Sequence, residues 1–210
     1  MPERVLLIDT DMLVLLGGSG TLRATLDLLG FEAGQARRLP AAPYQMARGR
    51  LFKDSYAAPV LQAALRAADT IAPLSEQPSD PDVLDRLASE SGIDPGEAVL
   101  FALLSEHEGC FLTTGDNRAL ETLATQGNVA EVRKRVAGRI ICLESVLKLL
   151  VARNGARTTA TAFGALRTHR TVAVLLSEAQ ARSDAVCLAG IDSYLDDLVR
   201  RTGEGFLYLP

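Results

Sequence analysis

Four carboxylates stand where chemistry could be done. Asp9 and Asp11 lie in RVLLIDTDMLVLLGG (4–18), between two of the most apolar runs in the chain, while Glu97 lies in IDPGEA and Asp116 in FLTTGD. An ionised carboxylate taken out of water costs on the order of several kcal/mol unless something compensates it. The compensation must be solvent at a strand end, a positive partner or a metal ion. Oxygen-only ligands are what Mg²⁺ or Mn²⁺ takes, and Asp9, Glu97 and Asp116 can meet at one edge of a parallel sheet, where ligands bind beyond the carboxyl ends of the strands. Each acid also has a local explanation. Asp11 is placed to cap the helix beginning MLVLL. Asp94, Pro95 and Glu97 have the spacing of an N-cap, an N1 proline and the N3 acid of a capping box. Asp116 can cap NRALETLA.

The elements that must position these acids follow from periodicity and punctuation. VLLID (5–9) reads as a buried, parallel strand ending at Asp9. Residues 11–17 and 20–29 read as helix, split by GGSG (17–20), a break that lacks the Lys-Ser/Thr of a phosphate-binding loop. ARRLPAAPYQM (36–46), with two prolines, reads as a loop or an edge strand. SYAAPVLQAALRAAD (55–69) reads as helix, TIAPLSE (70–76) as a short strand and EQPSDPD (76–82) as a linker. DPDVLDRLASESG (80–92) and IDPGEAVLFALLSEHEG (93–109) read as capped helices. CFLTT (110–114) and RIICL (139–143) are strands, each followed by a helix. Strands alternating with helices of this length mean an α/β domain with a mainly parallel sheet. The expected architecture is a domain over residues 1–154 followed by a mainly helical extension over 155–210.

Composition sets the outer limits. With 48% apolar residues the chain can bury a proper core, and with no Trp and ten other aromatics that core must be largely aliphatic. Cys110, Cys142 and Cys187 match neither zinc nor disulfide spacing, so buried reduced thiols are expected. No run approaches the ~20 apolar residues of a membrane span, and MPERVLLID has too short an apolar run for a signal peptide; a cytoplasmic location is the expectation. Net charge is −4, against a generic nucleic-acid binder. The cations are nevertheless segregated. Arg37, Arg38, Arg48, Arg50 and Lys53 fall in one acid-free run, and Lys148, Arg153, Arg157, Arg167 and Arg170 in another, as on a phosphate-facing surface. His107 and His169 form no Ser-His or Cys-His arrangement, although His169, in RTHR, is placed to touch phosphate.

Taken together, LLIDTDML, GIDPGEA, LTTGDNRAL and the closing strand and helix RIICLESVLKLL resemble the PIN domain, a family of metal-dependent ribonucleases that includes toxins of bacterial toxin–antitoxin pairs. The resemblance runs over residues 4–153. It implies a three-layer α/β/α sandwich whose acidic pocket binds Mg²⁺ or Mn²⁺ and hydrolyses RNA phosphodiester bonds. Asp9, Glu97 and Asp116 match the metal-binding, catalytic acids. Asp11 is in reach as a further oxygen, and Thr114 or Asn117 as the hydrogen-bonding residue that positions a water or a ligand acid. Arg37, Arg38, Arg48, Arg50 and Lys53 would face the nucleic-acid backbone, and an antitoxin partner and a homodimer are implied. The family's further acid is not matched: the corresponding stretch reads LPAAPYQMARG, with Gln45 or Met46 near its place. Two alternatives follow. One is a catalytically silent PIN-like module that binds RNA or protein. The other is a haloacid-dehalogenase-like phosphatase, with Asp9 as nucleophile and Asp11 as acid/base, although Leu13 stands where that family often has Thr or Val.

Overall fold

In a computed structural model that describes residues 4–209, the chain is an α/β protein with a five-stranded, wholly parallel sheet between helical layers. The elements are β1 (Val5–Ile8), α1 (Thr10–Gly18), α2 (Leu22–Leu29), β2 (Ala36–Arg38), α3 (Ala42–Arg48), α4 (Arg50–Ser55), α5 (Ala58–Ala68), β3 (Ala72–Pro73), α6 (Pro81–Ser89), α7 (Pro95–Glu106), β4 (Cys110–Thr114), α8 (Asn117–Thr125), α9 (Ala130–Val136), β5 (Ile140–Cys142) and α10 (Leu143–Asn154). The extension adds α11 (Ala156–Ala162), α12 (Arg170–Leu175) and α13 (Asp184–Thr202).

The strand order is β3-β2-β1-β4-β5. The chain winds outward from β1 to β3, then crosses back to β4 on the other side of β1. Right-handed crossovers in opposite directions put the connecting helices on opposite faces; α1 packs on α5, while α7 packs on α6 and α9. The reversal also leaves a crevice at the carboxyl ends of β1 and β4, the switch point where ligands bind in open α/β sheets. Asp9 follows β1 and Asp116 lies just beyond β4.

The apolar run after Asp11 is explained by burial on all sides. Met12, Leu13, Val14, Leu15 and Leu16 of α1 are each at most 1% exposed, as expected of a helix without a polar face. Gly17 is more than punctuation: a Cβ there would lie 2.8 Å from Ala64 Cα, so the glycine lets α1 and α5 approach closely. Four features differ from expectation or add to it. The stretch 36–46 is neither loop nor edge strand at its start: Ala36–Arg38 is β2, interior in the sheet, because both prolines fall after the strand and remove no ladder hydrogen bond. The rest of that stretch enters α3. Residues 130–136 form α9, whose seven residues are too few to show a period in the sequence. In the tail, Leu207 bridges Ile140 in parallel, and the Tyr208 amide donates to the Ile140 carbonyl at 2.8 Å, covering the exposed side of β5. The fourth change concerns Asp11 and is taken up with the site. No single helix among the described residues is long and apolar enough to cross a membrane. The three cysteines are buried and unpaired.

Candidate active site

β1 delivers Asp9 to the switch point. Its carboxylate accepts from the Thr10 amide at 2.6 Å, so Asp9 caps α1. The expectation that Asp11 does so is corrected: Asp11 lies one residue inside the first turn, half-buried, and its carboxylate is left for the crevice. β4 delivers Thr114, whose hydroxyl donates to the second Asp9 oxygen at 3.2 Å and accepts from the Asp116 amide at 3.2 Å. One fully buried hydroxyl thus ties the ends of β1 and β4 together. Asp116 caps α8 through the Ala119 amide at 2.9 Å.

α7 brings the third acid. Glu97 and Asp94 form a complete capping box, each carboxylate accepting from the other's amide at 2.8 Å. The local explanations of Glu97 and Asp116 are therefore correct. A capping carboxylate uses one oxygen, and the second oxygens of Glu97 and Asp116 accept no hydrogen bond from the described residues.

Burial and neighbouring acids act together on three of these groups. Asp9 is pushed up from 3.8 to about 7, first by burial and then by the charges of Asp11 and Asp94. Glu97 is pushed up from 4.5 to about 9, chiefly by burial, with Asp116, Asp94 and Asp9 adding to it. Asp11 is raised by burial, then by Asp116 and Asp94. Among the described residues, no cation is a cause of these three shifts. Tyr56, at the end of α4, is pushed up to about 12 by burial and by Asp11, so its phenol borders the same field.

Gln45 stands beside this group. Its side-chain oxygen accepts from the buried Thr10 hydroxyl at 3.3 Å, next to Asp9. Asn117 lines the pocket that Asp11 and Asp116 border, and its amide donates to Glu144 at 2.8 Å. Glu144 is only 1% exposed, and its other oxygen has no partner. The sequence signal for Glu144 was hidden, since an acid at the start of α10 reads as an ordinary first-turn residue.

The predicted nucleic-acid residues divide. Arg37 donates to the Gly34 and Ala36 carbonyls and lines a pocket at the amino ends of the strands. Arg38 donates to the Ala68 and Leu39 carbonyls. Arg48, Arg50 and Lys53 are exposed on α3 and α4, Arg50 pairing with Asp54 at 3.3 Å.

A pocket of about 550 Å³ opens at the crevice, with Asp11 and Asp116 on one wall and His169 and Arg170 of the extension on the other. His169 lies over Gly115, its Nε2 3.9 Å from where a Cβ would sit. Burial lowers its pKa, against the pull of Asp116.

As a donor set, buried carboxylates without cationic partners have the chemistry that hard divalent cations take. Among the described residues, no three His, Cys, Asp or Glu side chains are already gathered around one metal-sized point. Coordination by Asp9, Glu97 and Asp116 together requires side-chain adjustment, which the free oxygens of Glu97 and Asp116 permit. No family model, curated protein or solved structure matches the chain.

Proposed function

We propose that this chain is a metal-dependent endoribonuclease of PIN-like build that hydrolyses RNA phosphodiester bonds in the manner of the family's toxin-like members. One observation carries the reading. Asp9 and the Asp116 backbone are linked through Thr114 at the switch point of a parallel sheet, and Glu97 lies near enough to both to feel their charge, with no cation among the causes acting on Asp9 or Glu97. Asp9, Glu97 and Asp116 would hold Mg²⁺ or Mn²⁺, with Asp11 as an accessory oxygen. When bound, the cation neutralises charge on the phosphoryl oxygens and activates water for in-line attack. The chain's own part is positional. Thr114 fixes the orientation of Asp9, the two caps fix the backbones carrying Glu97 and Asp116, and the buried surroundings keep bulk water from screening the field.

RNA as the polymer, an antitoxin-like protein partner and a homodimer belong to the same proposal through the resemblance. The test is cleavage of a labelled RNA in Mn²⁺ against EDTA by wild type and Asp9→Asn. Metal-dependent cleavage lost in the variant, with an intact thermal transition, supports the reading; undiminished cleavage removes it.

A second reading, a silent module that binds RNA or protein, is favoured by the engagement of Glu97 in its capping box. Calorimetric titration with Mn²⁺ separates the two, since the silent module binds no cation at this crevice.

A further inference from the structure

The extension has no counterpart in the resemblance, yet it forms one side of the acidic pocket. Two of its residues point to a ligand. Tyr194, on α13, lines the pocket with 40% of its surface exposed, although a tyrosine on a long packed helix gains by burying its ring. Arg170, exposed at the start of α12, lines the same pocket and has no ion pair among the described residues. The neighbouring cation, Arg201, is engaged by Glu121 and Asp197.

The wall is held in place. Ile191, Leu195 and Leu198 of α13 are buried, α13 packs on α8 and α10, and Lys148 of α10 pairs with Asp192 at 2.7 Å. Arg201 ties the helix to α8 through Glu121. Tyr194 and Arg170 therefore form a preset aromatic-and-cation surface across the pocket from Asp11 and Asp116.

An acidic crevice alone repels a phosphodiester. A strand held there needs a cation for its phosphate and, if sequence is not read, a flat ring on which an unpaired base can stack. A base inside a duplex offers no free face to such a ring. We propose that the C-terminal extension is the substrate-binding wall of this site, with Tyr194 stacking on an unpaired base and Arg170 meeting the adjoining phosphate of a single RNA strand. The inference rests on the ribonuclease reading and adds to it the residues that hold the strand.

The experiment uses the full chain and a fluorescein-labelled RNA of eight mixed nucleotides, single-stranded or annealed to its complement. Binding is followed by anisotropy in EDTA, and cleavage in Mn²⁺. Tyr194→Leu is expected to weaken single-strand binding about tenfold, and Tyr194→Phe, which keeps the ring, to leave it near wild type. Arg170→Gln is expected to weaken binding and reduce the slope of log affinity against log salt by about one. The duplex should bind more weakly and ignore the Tyr194 variants. Wild-type affinity in both Tyr194→Leu and Arg170→Gln, with cleavage intact, overturns the wall and leaves the nuclease standing. Binding that depends on Tyr194, with no cleavage in any metal, keeps the wall and removes the nuclease. Equal loss in Tyr194→Leu and Tyr194→Phe also overturns stacking, since the ring would then not be the contact.

Discussion

Pockets of about 550 Å³ open at both ends of the parallel strands, and the protein treats their charges differently. At the amino ends, Glu106, His107 and Arg37 are each engaged locally. Glu106 accepts from the Ser79 and Asp80 amides at 2.9 to 3.2 Å, His107 meets Glu76 at 3.1 Å, and Arg37 donates to backbone carbonyls. At the carboxyl ends, Asp9, Asp11 and Glu97 are all raised, chiefly by burial, with neighbouring aspartates adding to it and no cation among the causes; Asp9 and Glu97 are pushed up to about 7 and about 9. Both edges carry polar residues because strand ends must. At the carboxyl edge, burial rather than a local partner dominates what Asp9, Asp11 and Glu97 feel. Carboxyls raised by burial at a strand-end crevice mark a candidate functional site, which is what the proposed cation site rests on.

Matching substitutions at the two edges make the contrast measurable. Asp9→Asn is expected to lower Mn²⁺-dependent RNA cleavage by more than ~100-fold, beyond the 10- to 100-fold typical of residues behind the ligands. Glu106→Gln, the same chemical change at the amino edge, is expected to leave cleavage at the wild-type rate and to lower stability slightly. Comparable losses in both variants would erase the distinction. Thr114→Val comes next. Removing the hydroxyl that bridges Asp9 and the Asp116 amide is expected to cost about 10- to 100-fold in cation affinity, read by titration with Mn²⁺.

The same contrast explains what could be read from the chain. β1, β4 and β5 were legible because VLLI, CFLTT and IIC are short apolar runs with turn signals on both sides. The three acids were legible because each sits at a strand end or helix start, positions a sequence marks well. What was not legible depends on crossings of the chain. Arg37 and Arg38 read as part of a basic surface, yet the carbonyls of Gly34, Ala36, Leu39 and Ala68 claim them. Asp11 read as the cap of α1, although Asp9 holds that position, because two aspartates separated by one residue offer the same local signal. Tyr194, Arg170 and His169 lie far along the chain from Asp116, and no local pattern says that the extension folds back onto the crevice.

Raised carboxyl pKa values make stability depend on pH, with a definite sign. Below about pH 4 both folded and unfolded chains hold these protons. As pH rises toward about 7 for Asp9 and about 9 for Glu97, the unfolded chain has released them and the folded chain has not. The folded state then binds more protons, so stability falls with rising pH. In EDTA, the melting temperature is expected to drop between pH 5 and 8, each ~1 kcal/mol appearing as about 2–4 °C in a chain of this size. Asp9→Asn should flatten the slope and melt higher than wild type at pH 8. Mn²⁺ should raise the wild-type transition at pH 8 and leave Asp9→Asn unmoved. A transition indifferent to pH over this range would mean that the acids are compensated after all.

The smallest effect expected is also the sharpest test of the gap in the acid set. Gln45 lies where the resemblance calls for a further carboxylate, with its side-chain oxygen on the Thr10 hydroxyl at 3.3 Å. Gln45→Glu keeps the length and that acceptor oxygen while adding one negative charge beside Asp9. If the crevice is a cation site, the added charge should tighten Mn²⁺ binding by about 3- to 10-fold, because ligand charge sets affinity in oxygen sites. In EDTA it should lower the melting temperature by a few degrees at pH 8, since repulsion grows with nothing to offset it. Opposite signs in the two conditions are the signature. A variant destabilised equally with and without Mn²⁺ would show that the charge meets no cation, and would favour the silent module over the nuclease.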